Sequence, residues 1–179
     1  GILFESLLFD VCAVSPDQVN ALFQCSIPYR SGPTIHQLMA YHVITGTAEE
    51  AATIVELARR VIETGPAELP PEERDAFRWQ VSTQLVELQH VAPHEVPAIA
   101  AQCYCLLAKA LLAVNRHWQG EGKSLHRLLI LAFPDLTERL DVALVTACSG
   151  DPVPLLELGQ EVLQQIGGPL RTYRETYTL

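Results

Sequence analysis

The sequence predicts a mainly α-helical protein, an antiparallel helical bundle with a short β element at its N-terminus. Apolar residues recur at helical spacing through most of the chain after residue 46, and capping residues, prolines and glycines mark the helix ends. The connections between these helices are short, which favours antiparallel packing of neighbours. With 179 residues, of which 49% are hydrophobic, the chain is long enough to bury one full core.

The first element is an apolar run over residues 3–14 that contains Asp10. Such a run predicts a strand buried on both faces, and that strand needs neighbours. The only other strand-like stretch covers residues 40–45, and two strands alone are marginally stable in water. We therefore expect partner strands from a segment upstream of Gly1 or from another subunit, and an α+β domain if that sheet is completed.

The helical part begins with a capping box, in which Thr47 is followed three residues later by Glu50. Gly65 and Pro66 end this first helix. Asp151 is the expected N-cap of the last helix. The other predicted helices cover residues 70–90, 94–118, 124–133, 135–148 and 152–166.

Charge and composition exclude several functional classes. The net charge is −9 and no cluster of Lys or Arg interrupts it, so we expect neither DNA nor a membrane surface as a partner. The most apolar stretch, residues 98–114, falls short of the roughly 20 residues that span a bilayer, and it predicts a buried helix. Five cysteines without a repeated spacing indicate a reducing, cytoplasmic location. Two of them, Cys103 and Cys105, are expected to fill the core.

Asp10 is the most unusual of the candidate functional residues. A carboxylate inside a buried strand costs several kcal/mol unless it is paired, hydrogen-bonded or bound to a metal, so Asp10 is a candidate metal ligand and catalytic residue. The alternative, of equal weight, places Asp10 at the end of a sheet facing water.

The stretch 116–124 concentrates glycines and cations between two predicted helices. It does not match the Walker pattern, because His117 stands where a glycine is required and a helix precedes the loop. The beginning of the next helix beside Lys123 and Ser124 nevertheless suits an anion such as a phosphate group. The alternative is a plain turn between helices with a solvated lysine.

Four short motifs carry a resemblance to a known family. They are Gly65-Pro66 with Leu69 and Pro70, Arg78-Trp79 ahead of Leu85 and Glu87, the stretch 116–123, and Asp151-Pro152 leading to Gly167-Gly168-Pro169. With these motifs the chain resembles the C-terminal helical region of bacterial nucleotidyltransferase-domain proteins, which belong to the polymerase-β-like superfamily together with aminoglycoside-modifying enzymes.

The resemblance implies that residues 1–46 are the remnant of an α+β catalytic domain and that residues 47–179 are a substrate-binding bundle. It implies a transfer of a nucleoside monophosphate from ATP or another NTP to an acceptor, with Mg²⁺ held in part by Asp10. The Gly-Ser signature and the first two carboxylates of the family are absent here, which implies that this chain alone does not catalyse the transfer.

The resemblance also assigns roles to residues of the bundle. Lys123, Arg116 and Ser124 would meet the triphosphate, and Glu87 would be an acceptor contact or a base. The alternative function is a non-catalytic helical interaction module that forms a homodimer, or binds a partner, through its N-terminal strand.

Overall fold

The computed structural model describes residues 2–4, 7–9, 15–39 and 47–172, and this part of the chain is mainly helical, as predicted. Two short strands come first. They are β1 (Ile2–Phe4) and β2 (Leu7–Phe9). The helices are α1 (Pro16–Tyr29), α2 (Pro33–Leu38), α3 (Ala48–Thr64), α4 (Pro71–His90), α5 (Val96–Val114), α6 (Lys123–Ala132), α7 (Pro134–Cys148) and α8 (Val153–Gln165).

The N-terminal apolar run differs from the single strand predicted for it. β1 and β2 pair antiparallel with each other, with Leu3 opposite Leu8 and Phe4 opposite Leu7. The run therefore folds back on itself, and its first part finds hydrogen-bond partners within the chain. Asp10 and the predicted strand at 40–45 lie outside the described residues, so both stay predictions.

Helix α1 was not predicted from the sequence, in which only a strand over residues 3–14 was expected before residue 40. In the structure Ser15 is an N-cap: its Oγ accepts from the backbone N–H of Gln18 at 3.3 Å, and Gln18 Oε1 accepts from the N–H of Ser15 at 2.7 Å. Pro16 takes the first helical position, where no N–H is needed. The pattern is a capping box with Gln in place of Glu.

Helices α3 and α4 lie within one residue of their predicted bounds. The Thr47 hydroxyl accepts from the N–H of Glu50 at 3.2 Å, and the Glu50 carboxylate accepts from the N–H of Thr47 at 3.1 Å. Gly65 follows α3 with φ +76°, a conformation in which a side chain would be strained. Helix α4 begins one residue after the predicted position and ends at His90, as expected.

The central helix α5 is shorter than predicted. It ends at Val114, and Arg116 then adopts the left-handed conformation with φ 55° while the N–H of His117 donates to Leu112 O at 2.8 Å. By length and composition α5 could cross a membrane, but 56% of it is buried by the rest of the protein. Such burial is typical of the core helix of a bundle.

The later helices lie within two residues of their predicted starts and ends. Helix α6 ends at Ala132, shortly before Pro134, and Pro134 occupies the first position of α7. Asp151 lies one residue before the N-cap position of α8, yet its carboxylate accepts from the N–H of Val153 at 3.1 Å and so still caps the helix.

Two hydrophobic cores hold the helices together. The larger surrounds α5 and includes the facing sides of α4, α6, α7 and α8. The smaller joins α1, α2 and α3 to the loop after α5, and its buried members are Val19, Phe23, Ile35, Ala58, Val61 and Trp118. Side chains from both sides of residue 46 thus pack together, while the predicted division into a catalytic remnant and a bundle stays a prediction.

Candidate functional site

The loop between α5 and α6 is anchored to the connection between α1 and α2. The N–H of Gln119 donates to Arg30 O at 2.6 Å, and the N–H of Gly32 donates to Gln119 O at 3.0 Å. Trp118 is 6% exposed and inserts into the smaller core. Its buried indole Nε1 has no hydrogen-bond partner in the described part of the chain, so apolar packing holds the ring.

Gly32 permits this close approach. A Cβ atom at that position would lie 2.6 Å from the Cβ of Trp118 and 3.1 Å from Nδ1 of His36. Both Cβ positions are fixed by the backbone, so no rotation of a side chain would relieve the contact. The two backbone hydrogen bonds of Gln119 and the absence of a side chain at Gly32 therefore fix the position of the loop before α6.

The loop presents cations that are not neutralised locally. Arg116 and Lys123 are exposed, and neither has an ion-pair partner among residues 2–4, 7–9, 15–39 and 47–172. Lys109 differs, because its Nζ lies 2.6 Å from Glu121 Oε1. Lys123 is the first residue of α6, and no side chain caps the N-terminus of that helix. The N–H groups of residues 124–126 already donate to the carbonyl oxygens of Glu121 and Gly122, so the two cations and the helix dipole are what could hold an anion here.

Ser124 is the remaining predicted member of this site. It is half-buried, and its backbone N–H donates to Glu121 O at 3.0 Å. The structure thus places Arg116, Lys123 and Ser124 on one short loop and the first turn after it. Whether they bind a nucleotide stays a prediction.

A polar cluster occupies the next turn of α6. Asp141 on α7 accepts from the hydroxyl of Tyr104 on α5 at 2.7 Å, and its second oxygen lies 2.9 Å from Nε2 of His126 on α6. Tyr104 is buried, whereas the side chains of His126 and Asp141 are each 43% exposed. Burial, followed by the hydrogen bond to Asp141 and its charge, raises the pKa of Tyr104, so the phenol stays a proton donor.

The contact with Asp141 determines which ring nitrogen of His126 carries the proton. An ionised carboxylate only accepts hydrogen bonds, so Nε2 of His126 carries the proton that it donates to Asp141. In neutral imidazole the other nitrogen, Nδ1, is then an acceptor, and it has no partner within the described residues. This arrangement can accept a proton from a bound molecule at Nδ1.

Glu87 is not part of this region. It is exposed on α4, and Gln84 Nε2 donates to its carboxylate at 3.3 Å. Because α4 and α5 pack together and are joined only by residues 91–95, they run antiparallel, and Glu87 lies near the beginning of α5. Arg116 and Lys123 follow the end of α5, whose 19 residues span about 28 Å. The structure therefore does not bring the predicted base to the predicted phosphate loop.

The predicted ligand of the Mg²⁺ ion is not among the residues that the structure describes. Among those residues, no group of three or more His, Cys, Asp or Glu side chains is arranged to hold an ion. The Mg²⁺ prediction thus rests on Asp10, outside the described residues, and no step of the chemistry is assigned to a metal.

No protein-family model, curated protein or solved structure matches this chain.

The polar cluster of Tyr104, His126 and Asp141 could not be predicted from the sequence, for a physical reason. His126 and Asp141 are 15 positions apart, and Tyr104 and Asp141 are 37 apart, on three different helices. Only the packing of those helices brings the side chains together. The one local signal was the position of His126 three residues after Lys123, on the same face of a helix.

Proposed function

We propose that this chain is the helical substrate-binding part of a cytoplasmic nucleotidyltransferase-like protein, which transfers a nucleoside monophosphate from ATP or another NTP to an acceptor. The observation that carries the proposal is the loop with Arg116 and Lys123. Both cations lack ion-pair partners in the described part of a chain whose net charge is −9. A triphosphate supplies the missing negative charge at that site.

The anchoring of the loop supports the same function. A flexible loop would lose conformational entropy on binding, whereas a loop already held by backbone hydrogen bonds loses less and binds more tightly. The backbone of Gln119 provides this support through its hydrogen bonds with Arg30 and Gly32, and Trp118 provides it from the smaller core. The Ser124 hydroxyl adds a neutral donor to the two cations.

The proposal is tested by the melting temperature of the protein with and without ATP at low ionic strength. A ligand that binds only the native state stabilises it, by about 2.7 kcal/mol at a hundredfold excess over its Kd. We expect ATP, but not adenosine, to raise the melting temperature. Lys123→Gln and Arg116→Gln should each reduce the rise.

Arg171→Gln is the matched control, because Arg171 is also exposed and without an ion-pair partner in the described residues, and it lies after α8. It removes the same charge as Lys123→Gln at another place. An unchanged melting temperature with ATP contradicts the proposal, and an equal loss in the Arg171 and Lys123 variants contradicts the location.

The metal requirement is tested separately at Asp10. In the full-length protein we expect Asp10→Asn to weaken Mg²⁺-dependent turnover while nucleotide binding at the loop persists. Unaltered turnover would remove Asp10 from the site.

One observation favours the second candidate, an interaction module that forms a homodimer or binds a partner through its N-terminal strands. The pair of β1 and β2 has two outer edges, and no further strand lies beside either among the described residues. Open edges are templates for pairing with another chain. A stable dimer in solution, together with a melting temperature that ATP does not change, would favour this candidate over the enzyme.

A further inference from the structure

The cluster of Tyr104, His126 and Asp141 lies beside the proposed phosphate site. Lys123 and His126 are three residues apart on α6, so their Cβ atoms are about 5–6 Å apart on one face. A phosphate group held by Lys123 would therefore lie next to the imidazole. The cluster joins α5, α6 and α7, and it is half-exposed at His126.

We propose that His126 accepts the proton of the acceptor hydroxyl during nucleotidyl transfer. This inference rests on the proposed function, because it uses a nucleotide bound at the loop. The acceptor oxygen forms a bond to the α-phosphorus, and the bond from that phosphorus to the bridging oxygen of the β-phosphate breaks. Pyrophosphate leaves with the bonding electron pair, and the hydroxyl proton passes to Nδ1 of His126.

Asp141 is the positioning residue for this base. Its carboxylate holds the proton on Nε2, which leaves Nδ1 unprotonated, and it stabilises the imidazolium that forms when Nδ1 takes a second proton. The hydroxyl of Tyr104 donates a hydrogen bond to the other oxygen of Asp141, and this bond fixes the plane of the carboxylate. His126 thus takes the role that the sequence motifs assigned to Glu87, which lies at the far end of α5.

Charged and titratable groups surround the imidazole of His126 on three helices. Asp141 faces it from α7 and Tyr104 lies behind Asp141 on α5, while Lys123 and Arg127 belong to its own helix. A proton taken up at Nδ1 places the new positive charge of the ring against the carboxylate of Asp141.

The state of the imidazole is tested in the chain itself. A long-range ¹H–¹⁵N spectrum of the histidine side chains should show His126 protonated at Nε2 and bare at Nδ1 at neutral pH. Asp141→Asn should give a mixture of the two tautomers, whereas the spectrum of His90, whose Nδ1 contacts Val86 O, should not change. A wild-type His126 protonated at Nδ1 would overturn the proposal.

The chemical role is tested by pyrophosphate release from Mg-ATP in the full-length protein, with water and an aminoglycoside as acceptor probes. His126→Gln keeps an amide donor near Asp141 but removes the basic nitrogen. We expect release to slow about 100-fold, with the rise in melting temperature on adding ATP retained. His90→Gln, an exposed histidine on α4, should release pyrophosphate at the wild-type rate.

The outcomes separate the two proposals. If ATP does not stabilise the wild-type protein, the proposed function fails and this inference fails with it. If ATP stabilises the protein but His126→Gln releases pyrophosphate at the wild-type rate, only the role of His126 is overturned. If the wild type binds ATP but releases no pyrophosphate with either acceptor, the transfer reaction fails and the role of His126 fails with it. A pH profile that loses its acidic limb in His126→Gln supports the role, because a purely structural effect would lower the rate at every pH.

Discussion

The backbone N–H of Gln119 donates a 2.6 Å hydrogen bond to the carbonyl oxygen of Arg30. This contact ties the loop after the central helix to the end of α1. The guanidinium of Arg30 is buried and pairs with Glu73 at the start of α4, so the anchor is itself held in place. The shape of the proposed phosphate site therefore depends on residues that touch no phosphate.

Gly32→Ala should disturb the loop without changing its charge. The new methyl group would lie 2.6 Å from the Cβ of Trp118, so the loop must move away from α2. We expect a loss of about 1–3 kcal/mol in the free energy of unfolding, as for other overpacked sites. Chemical denaturation measures the loss, and the stabilisation by ATP should weaken in parallel.

Ser31→Ala is the control for this variant, because the Ser31 side chain is exposed beside the same backbone hydrogen bonds. It should change the free energy of unfolding by less than about 0.5 kcal/mol. A Gly32→Ala protein with wild-type stability and wild-type ATP binding would show that the close approach to Trp118 does not position the loop.

Gly159→Ala should destabilise the bundle, although alanine is normally better than glycine inside a helix by up to about 1 kcal/mol. A Cβ at Gly159 would collide with Cδ2 of Leu85 and lie 3.2 Å from its Cγ. Leu85 is 2% exposed, so its side chain has no room to move aside. We expect a net loss of about 1–3 kcal/mol in unfolding experiments.

A double-mutant cycle identifies the cause of that loss. In a Leu85→Ala background the same glycine substitution should cost less, since the colliding methyl group is gone. A Gly159→Ala protein with a raised melting temperature would mean that α4 and α8 are not in close contact at this point.

Cys103 and Cys105 should differ in reactivity, although the sequence analysis expected both in the core. Cys103 is buried and Cys105 is exposed, because residues two apart on a helix point about 200° from each other. Burial raises the pKa of the Cys103 thiol to about 12. With iodoacetamide at pH 8, mass spectrometry should find Cys105 alkylated and Cys103 unmodified until the protein unfolds. Equal labelling of both in the native protein would contradict the burial.

The ion pair of Arg139 and Glu161 should contribute a pH-dependent stability. Its guanidinium nitrogens lie 3.1 and 2.6 Å from the two carboxylate oxygens, and this hydrogen bonding lowers the pKa of Glu161 below the ordinary value of 4.5. A carboxylate with a lowered pKa stabilises the native state fully above its unfolded pKa, and this contribution is lost as the pH falls through the native pKa. The difference in stability between wild type and Glu161→Gln should therefore shrink below about pH 4.5.

Glu157→Gln provides the comparison, since Glu157 is exposed on the same helix and has no ion pair in the described residues. It removes the same charge without breaking a contact. If the two variants lose stability equally at neutral pH and respond equally to acid, the ion pair makes no contribution of its own.

The sequence predicted the helices best where local chemistry decides them. Thr47, Gly65 and Asp151 act on the backbone within three residues of their own position, so their patterns were visible without a fold. The capping box of Ser15 and Gln18 is equally local. It was not recognised, because the apolar run before it predicts a strand. The early end of α5 depends on Trp118 packing among α1, α2 and α3, which no local pattern contains.

The candidate site also combines residues that are close in sequence with contacts that only packing creates. Arg116, Lys123 and Ser124 are close in sequence, and their joint placement followed from the predicted turn between helices. Neither the anchoring of the loop at Arg30 nor the meeting of His126 with Asp141 follows from spacing, because each joins distant segments. Glu87 was assigned to the site by motif alone, and packing places it elsewhere.

The most direct test of the phosphate loop is a titration of the ¹⁵N-labelled chain with ATP, followed by the backbone amide resonances. The largest shifts should occur at residues 116–124, should be weaker in Lys123→Gln, and should leave the region of Glu87 unchanged. Shifts centred on another surface, or no shift at millimolar ATP, would contradict the assignment of this loop as the nucleotide site.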